Sequence, residues 1–203
     1  MDSAGWNRRY EGTELVWTVR PNRFLVAEIE GMPAGRALDL ACGEGRHAVW
    51  LSGLGWRVRA VDFSDVAIEK GRLLAERAGV TVEWTIADLI EYEPEPGSAD
   101  LVLLFYLQLP EAERREVIRK AAVAVAPDGT FLLVAHDLRN LARGYGGPQS
   151  PEVLFTPEDV VGDLAGSGLE IVRAAPVERP VDTPEGERIA IDALVRARRP
   201  AGD

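Results

Sequence analysis

Short apolar runs alternate with amphipathic stretches along most of the chain. Residues 36–41, 57–61, 80–86, 100–107 and 130–135 are brief and rich in Val, Leu and Ile, which favours buried strands over helices. Between them the pattern predicts helices over 46–54, 65–78 and 111–126. Ser64 is placed to cap the second; the third follows Pro110 and is closed by Pro127-Asp128-Gly129. Thr156-Pro157-Glu158-Asp159 starts another helix, with a capping hydroxyl, proline in the first turn and acids at the positive dipole end, running towards Gly166 or Gly168. Residues 169–177 and 189–196 read as two last strands joined by a polar connection too short for a helix, so they should pair antiparallel.

This alternation predicts an α/β, doubly wound, Rossmann-like fold. Its sheet is mostly parallel and seven-stranded, with an antiparallel strand near the C-terminus and helices on both faces. No repeat or linker divides 1–203, which is read as one domain. Residues 1–31 form an N-terminal lid, with an amphipathic segment from Asn22 through Phe24, Leu25 and Ile29 to Gly31. Residues 34–137 form a cofactor-binding core, 138–155 a substrate loop, and 156–198 the C-terminal helix and strand pair. In such sheets ligands gather at the carboxyl ends of the strands, where strand order reverses.

Composition narrows the function. At 203 residues with 46% hydrophobic and 28% charged residues, the chain can enclose a substantial core. A net charge of -10 opposes binding to a nucleic-acid backbone, and the arginine pairs Arg8/Arg9, Arg114/Arg115 and Arg198/Arg199 read as scattered, solvated faces. The single cysteine, Cys42, allows no internal disulfide, and no CxxC or His/Cys cluster predicts a metal. MDSAGWNRRYEG has no apolar signal segment, and LVLLFYLQL at 101–109 is about half a membrane span, so a cytoplasmic protein without membrane contact is expected.

The chemistry concentrates in ALDLACGEGRHAVWL, residues 37–51. Gly43-Glu44-Gly45-Arg46-His47-Ala48 satisfies GxGxxA, and Asp62 at the end of the next strand suits ribose hydroxyls, because a carboxylate can accept from both. Asp39 discriminates among nucleoside ligands. A carboxylate on the first strand would oppose a pyrophosphate, whereas a ligand carrying an ammonium, a sulfonium and one carboxylate would be attracted.

Together DLACGEG, VD at 61–62, AD at 87–88 and DLVLLF at 100–105 resemble the class I S-adenosylmethionine-dependent methyltransferases over residues 34–137. The resemblance implies S-adenosylmethionine as cofactor and S-adenosylhomocysteine as product. It implies the methionine end against Asp39, Ala41, Gly43 and Gly45, the ribose on Asp62 and the adenine beside Phe63. Asp88 and the Leu89 backbone would meet the adenine edge, and Phe105 and Tyr106 would lie near the transferable methyl. Ala41 departs from the family, which more often has glycine there. WNRRY at 6–10, RPNRFL at 20–25, HDLRN at 136–140 and GGP at 146–148 are similar to the tellurite-resistance and thiopurine methyltransferase-like branch, implying a small-molecule acceptor.

His136 and Tyr106 are the candidate catalytic residues, at strand ends on the expected edge. Candidates to touch the acceptor are Tyr10, Trp17 and Asn22 of the lid, Gln108, and Arg139 and Tyr145 of the long segment after Asp137, which is expected to act as a flap. Cys42 and His47 read as structural, and Trp50, Trp56 and Trp84 as packing residues. Two other functions stay open: an NAD-type oxidoreductase, on GxGxxA and Asp62, and a non-catalytic S-adenosylmethionine-binding module. A monomer or homodimer is expected.

Overall fold

The computed structural model describes residues 3–12, 15–16 and 18–202; the expectation for Trp17 lies outside the described residues. Two short helices, α1 (Ser3–Tyr10) and α2 (Arg23–Glu28), precede β1 (Arg36–Leu40), α3 (Arg46–Gly53), β2 (Arg57–Asp62) and α4 (Asp65–Ala78). Then come β3 (Val82–Ile86), β4 (Ala99–Phe105), α5 (Glu111–Ala124) and β5 (Val125–His136). The chain continues through α6 (Asn140–Arg143), a 3-10 turn at Pro151–Val153, α7 (Pro157–Asp163), β6 (Glu170–Thr183) and β7 (Gly186–Arg198).

The strands form one seven-stranded sheet in the order β3-β2-β1-β4-β5-β7-β6. Only β7 runs antiparallel to its neighbours β5 and β6. Strand order reverses between β1 and β4, and this is where a crevice opens at the carboxyl ends. The residues of β4 from Leu101 to Phe105 are all buried, as a central strand covered on both faces requires. Alternate residues feed two cores. One collects Leu104, Ile118, Phe131 and Phe155; the other collects Leu51, Leu103, Leu132 and Leu194.

Local signals act as read. Ser64 Oγ accepts from Ala67 N–H at 3.1 Å, and Gly79 ends α4 in the left-handed region. Thr156 and Asp159 form a reciprocal capping box around Pro157.

Three expectations are corrected. First, β5 begins at Val125, ahead of the turn at Pro127-Asp128-Gly129, because Val125 pairs with Ala99 before the register shifts to Leu101–Thr130, the extra residues lying in β5. Second, the polar connection is itself strand: β6 and β7 continue to the Thr183–Gly186 pair, while β5 accompanies β7 only as far as His136–Asp192. The distal half of this hairpin therefore projects past the carboxyl edge of the sheet. Third, not all the arginine pairs are solvated. Arg114 is buried, ion-paired to Asp163 at 2.8 Å and set over the Phe155 ring. Arg199 donates to Ala122 O at 2.8 Å and Val125 O at 2.7 Å, satisfying carbonyls at the end of α5.

Candidate functional site

A cavity of about 570 Å³ lies over the carboxyl ends of β1, β2, β4 and β5, and residues of the first 23 positions, among them Trp6, Tyr10, Leu15 and Asn22, form one wall. The turn after β1 holds three residues in the left-handed region: Ala41 (φ 56°), Gly43 (φ 55°) and Gly45 (φ 74°). This explains the glycine preference at position 41, where alanine bears a cost of about 1–2 kcal/mol.

Gly43 N–H donates to Asp62 Oδ2 at 2.8 Å, and Ser64 N–H donates to Asp62 Oδ1 at 2.9 Å. Burial raises the Asp62 pKa against the pull of these N–H groups. Each carboxylate oxygen keeps further acceptor capacity on the cavity side. Phe63, Leu74, Ala87 and Leu89 make a flat apolar slot beside it, with Asp88 at the rim accepting from Ile90 N–H at 2.9 Å. Of the residues expected at the cofactor, Ala41, Gly43, Asp62, Phe63, Asp88, Leu89 and Phe105 line the cavity.

Asp39 and Gly45 do not line it. Gly45 sits under the Trp84 ring, which also covers Gly71, so its lack of a side chain serves helix-to-sheet packing. Asp39 lies beneath the turn, fully buried, and neither carboxylate oxygen has a hydrogen-bond partner. Burial first, and the neighbouring Asp62 second, push its pKa up to about 7; Arg46 and the Ala48 backbone favour the charged form. An orphaned acid one layer below the cavity floor fits a cationic ligand above it, acting through the turn and not by direct contact.

Glu44, between the glycines, has a different task. Its Oε1 accepts from Val16 N–H at 3.0 Å and from Lys70 Nζ at 3.2 Å, tying the N-terminal segment and α4 to the turn. Cys42 and His47 line the cavity. Burial, then Asp62 and Asp39, raise the Cys42 thiol well above its ordinary range, which disqualifies it as a nucleophile. Burial and Arg46 keep His47 neutral, edge-on to Phe105 at 4.5 Å.

The other end of the cavity holds Tyr106, Gln108 and His136, together with Arg46 and Arg179. Tyr106 has a φ of 55° and follows β4 directly. Its hydroxyl accepts from Asn22 Nδ2 at 2.9 Å and donates to Asp192 Oδ2 at 2.8 Å. Arg179 Nε donates to the same Asp192 oxygen at 2.6 Å, and Arg179 Nη2 reaches Oδ1 at 3.3 Å. His136 Nδ1 stands 3.5 Å from Asp192 Oδ1, and the Tyr106 and His136 rings are 4.8 Å apart. Burial opposes the Asp192 charge, but His136, Arg179 and Tyr106 outweigh it and hold the carboxyl below its ordinary range. Burial and Asp192 push the Tyr106 hydroxyl up. Asp192 and Arg179 are functional candidates that sequence reading missed.

Of the acceptor candidates, Tyr10, Asn22 and Gln108 line the cavity, while Arg139 and Tyr145 do not. Arg139 is drawn outward to Asp137 at 2.9 Å and Glu158 at 3.3 Å, and Tyr145 is exposed. The segment after Asp137 is not a flap over the opening. Asn140 pins it from within, donating to Gly146 O at 2.8 Å and accepting from Ile191 N–H at 2.7 Å. Gly147 then packs against the His136 ring, leaving no room for a side chain. Among the described residues no cluster of three or more His, Cys, Asp or Glu could hold a metal, and no helix is long and apolar enough to cross a membrane.

Residues 37–129 match the family model described as a methyltransferase domain. The chain is 34% identical over 95 residues to a ubiquinone biosynthesis O-methyltransferase of Burkholderia vietnamiensis, covering 46% of this chain and 41% of that protein. It is 30% identical over 138 residues to a ribosomal RNA small subunit methyltransferase C of Chromohalobacter salexigens, covering 65% of this chain and 39% of that one. The chain thus spans less than half the length of these curated relatives.

Among solved structures, one studied for conversion of a disulfide bond into a thioacetal group during echinomycin biosynthesis superposes with a TM-score of 0.78 at 21% identity, covering 99% of this chain and 93% of that one. An S-adenosylmethionine-dependent methyltransferase of Methanosarcina mazei gives 0.69 at 18% identity, covering 90% and 100%. TehB of Haemophilus influenzae gives 0.71 at 17%, covering 96% and 65%. At such identities the likeness is one of fold. Residues 37–129 are thus similar to a methyltransferase domain, and the seven-stranded Rossmann-like sheet is the fold shared with these solved structures.

Proposed function

We propose that the chain is an S-adenosylmethionine-dependent methyltransferase acting on a small-molecule acceptor, of the kind found in the tellurite-resistance and thiopurine methyltransferase-like branch. The observation that carries this reading is the distribution of charge around the turn. Glu44, Asp62 and Asp88 line the cofactor half of the cavity, and Asp39 lies just below it. A diphosphate there would meet carboxylates, which disfavours an NAD-type ligand, whereas an ammonium and a sulfonium would be welcome. When bound, S-adenosylmethionine supplies a methyl group on a positively charged sulfur.

The chain's own residues would do the rest. Gly43 permits close approach, Asp62 would hold the ribose, and Phe63 and Leu89 would sandwich the adenine near Asp88. The wall formed by Tyr10, Leu15 and Asn22 excludes water from the reacting end, where alignment of two reactants can contribute about 7–11 kcal/mol. A concave cavity of about 570 Å³ and a net charge of -10 support a small acceptor over a nucleic acid. A cytoplasmic monomer or homodimer completes the reading.

Calorimetry tests it. S-adenosylhomocysteine should bind at micromolar concentrations or tighter, and NADH should not bind. Binding of NADH with no affinity for S-adenosylhomocysteine would replace this reading with the oxidoreductase one. Retention of S-adenosylhomocysteine with no methyl transfer to any small acceptor would leave a non-catalytic binding module.

A further inference from the structure

Resting on that reading, we infer that Asp192 is a positioning residue that orients His136 as the proton acceptor of the reaction, and that the acceptor therefore presents a weakly acidic O–H or S–H group. Four observations converge. His136 lines the cavity, with its Nδ1 buried, without a hydrogen-bond partner, and 3.5 Å from Asp192 Oδ1, within ion-pair reach but short of a formed hydrogen bond. Asp192 is itself fully buried, with Arg179 bonded to both its oxygens and Tyr106 to one. Tyr106 cannot serve as the base, because its hydroxyl already donates to Asp192 and accepts from Asn22. Gly147 packs against the imidazole, with a would-be Cβ only 2.9 Å from Nδ1, and so limits its movement.

A carboxylate facing Nδ1 favours the tautomer protonated there, leaving Nε2 as the nitrogen offered to a cavity ligand. Asp192 and Arg179 together cancel in charge, so the pair fixes geometry without flooding the cavity with either sign. In the step itself, the acceptor's lone pair forms the new bond to the methyl carbon. The carbon–sulfur bond breaks with its electron pair going to sulfur, and the acceptor's proton passes to His136 Nε2. The resulting imidazolium is met by Asp192. A nucleophile with no proton to lose, such as a pyridine nitrogen, would gain nothing from this arrangement.

The chain has two histidines, so imidazole NMR reads His136 directly, assigned by its loss in His136→Gln. The groups facing His136 are Asp192 on β7 and Tyr106 after β4, with uncharged Gly147 on the loop side; Arg179 on β6 is joined to them through Asp192 and lies over the Tyr106 ring, and Arg46 lines the same cavity. Wild-type spectra should show the Nδ1–H tautomer. Asp192→Asn should shift His136 towards the Nε2–H tautomer, and Asp192→Glu should restore the Nδ1–H form. Arg179→Gln, which removes the donors that hold Asp192 in place, should weaken the same preference, and it decides the question even if Asp192→Asn does not fold. A tautomer indifferent to both changes would overturn the assignment. Calorimetry with S-adenosylhomocysteine is run beside it. Loss of that binding in the wild-type protein removes the methyltransferase reading, whereas binding with an unresponsive His136 removes only this one.

The acceptor class is tested with catechol, 4-nitrophenol, thiophenol and pyridine as probes. Transfer to at least one of the first three is expected, with kcat reduced 100-fold or more in His136→Ala at pH 7. Transfer to pyridine alone, transfer to none of the four, or a loss below tenfold in His136→Ala would each overturn it.

Discussion

The ring of Trp84 fills the space in which a side chain on Gly45 would begin, and its Cη2 also stands 2.6 Å from a would-be Cβ on Gly71. Position 45 is thus constrained twice, by packing and by its left-handed φ of 74°. Gly45→Ala should cost about 2–4 kcal/mol, from backbone strain plus overpacking. Gly146→Ala has a similar φ of 70° with open space around it, so it should cost only about 1 kcal/mol. Urea unfolding of the two variants measures the difference. Equal losses would show that Trp84 plays no part.

Glu44 holds residues at the start of the chain against the glycine turn through Val16 N–H and Lys70. Glu44→Ala removes a buried carboxylate from a half-shielded pair and should cost about 1–3 kcal/mol. Its more specific effect should be faster proteolysis and hydrogen exchange before Asn22, with weaker S-adenosylhomocysteine binding. Unchanged exchange in that segment would refute the tether.

Asp39 makes the unliganded protein sensitive to pH. Its folded pKa of about 7 lies above the ordinary value of 3.8, so the native state binds more protons than the unfolded chain between the two values. This contribution to stability is therefore full below about pH 4 and lost as pH rises through 7, for at most about 4 kcal/mol. Asp39→Asn should flatten that part of the Tm-against-pH curve of the ligand-free protein. A ligand bearing an ammonium should raise Tm more at pH 8 than at pH 5.5, because it offsets the charge that burial penalises. The reverse ordering would contradict the electrostatic role of Asp39.

Tyr106→Phe leaves Asn22 without an acceptor and Asp192 with one donor fewer. A loss of about 1–3 kcal/mol is expected by denaturation, with kcat falling by less than tenfold, because the hydroxyl positions groups and does not take the proton. A thousandfold loss of kcat would make Tyr106 a participant in the chemistry.

Most of the sheet was legible in the sequence because the inner strands β1, β2 and β4 are largely buried and betray themselves as apolar runs. The distal hairpin was not, because residues such as Glu178, Arg179, Pro180 and Asp182 pair only with β7 and carry no apolar alternation. The cavity lining on that side was legible for a related reason: Gly43, Asp62 and Asp88 each lie at the end of a strand or within a few residues past it. Asp39 was found as a signal but misplaced by one layer, since spacing gives an acid's position along a strand and not its depth. Asp192 looked like an ordinary polar residue inside a strand. Only the order β5-β7-β6 brings it and Arg179 to Tyr106, more than seventy positions earlier in the chain.

That strand order divides labour across the molecule. On the proposed function the donor's seat comes from β1 to β3 and their turns, within residues 37–129, which match the methyltransferase-domain model. Arg179 and Asp192 arrive from an outer wing beyond that segment, and Asn22 from before it. On the same proposal, selectivity for the acceptor would drift by remodelling the two ends of the chain, while the residues proposed to grip the donor stay untouched.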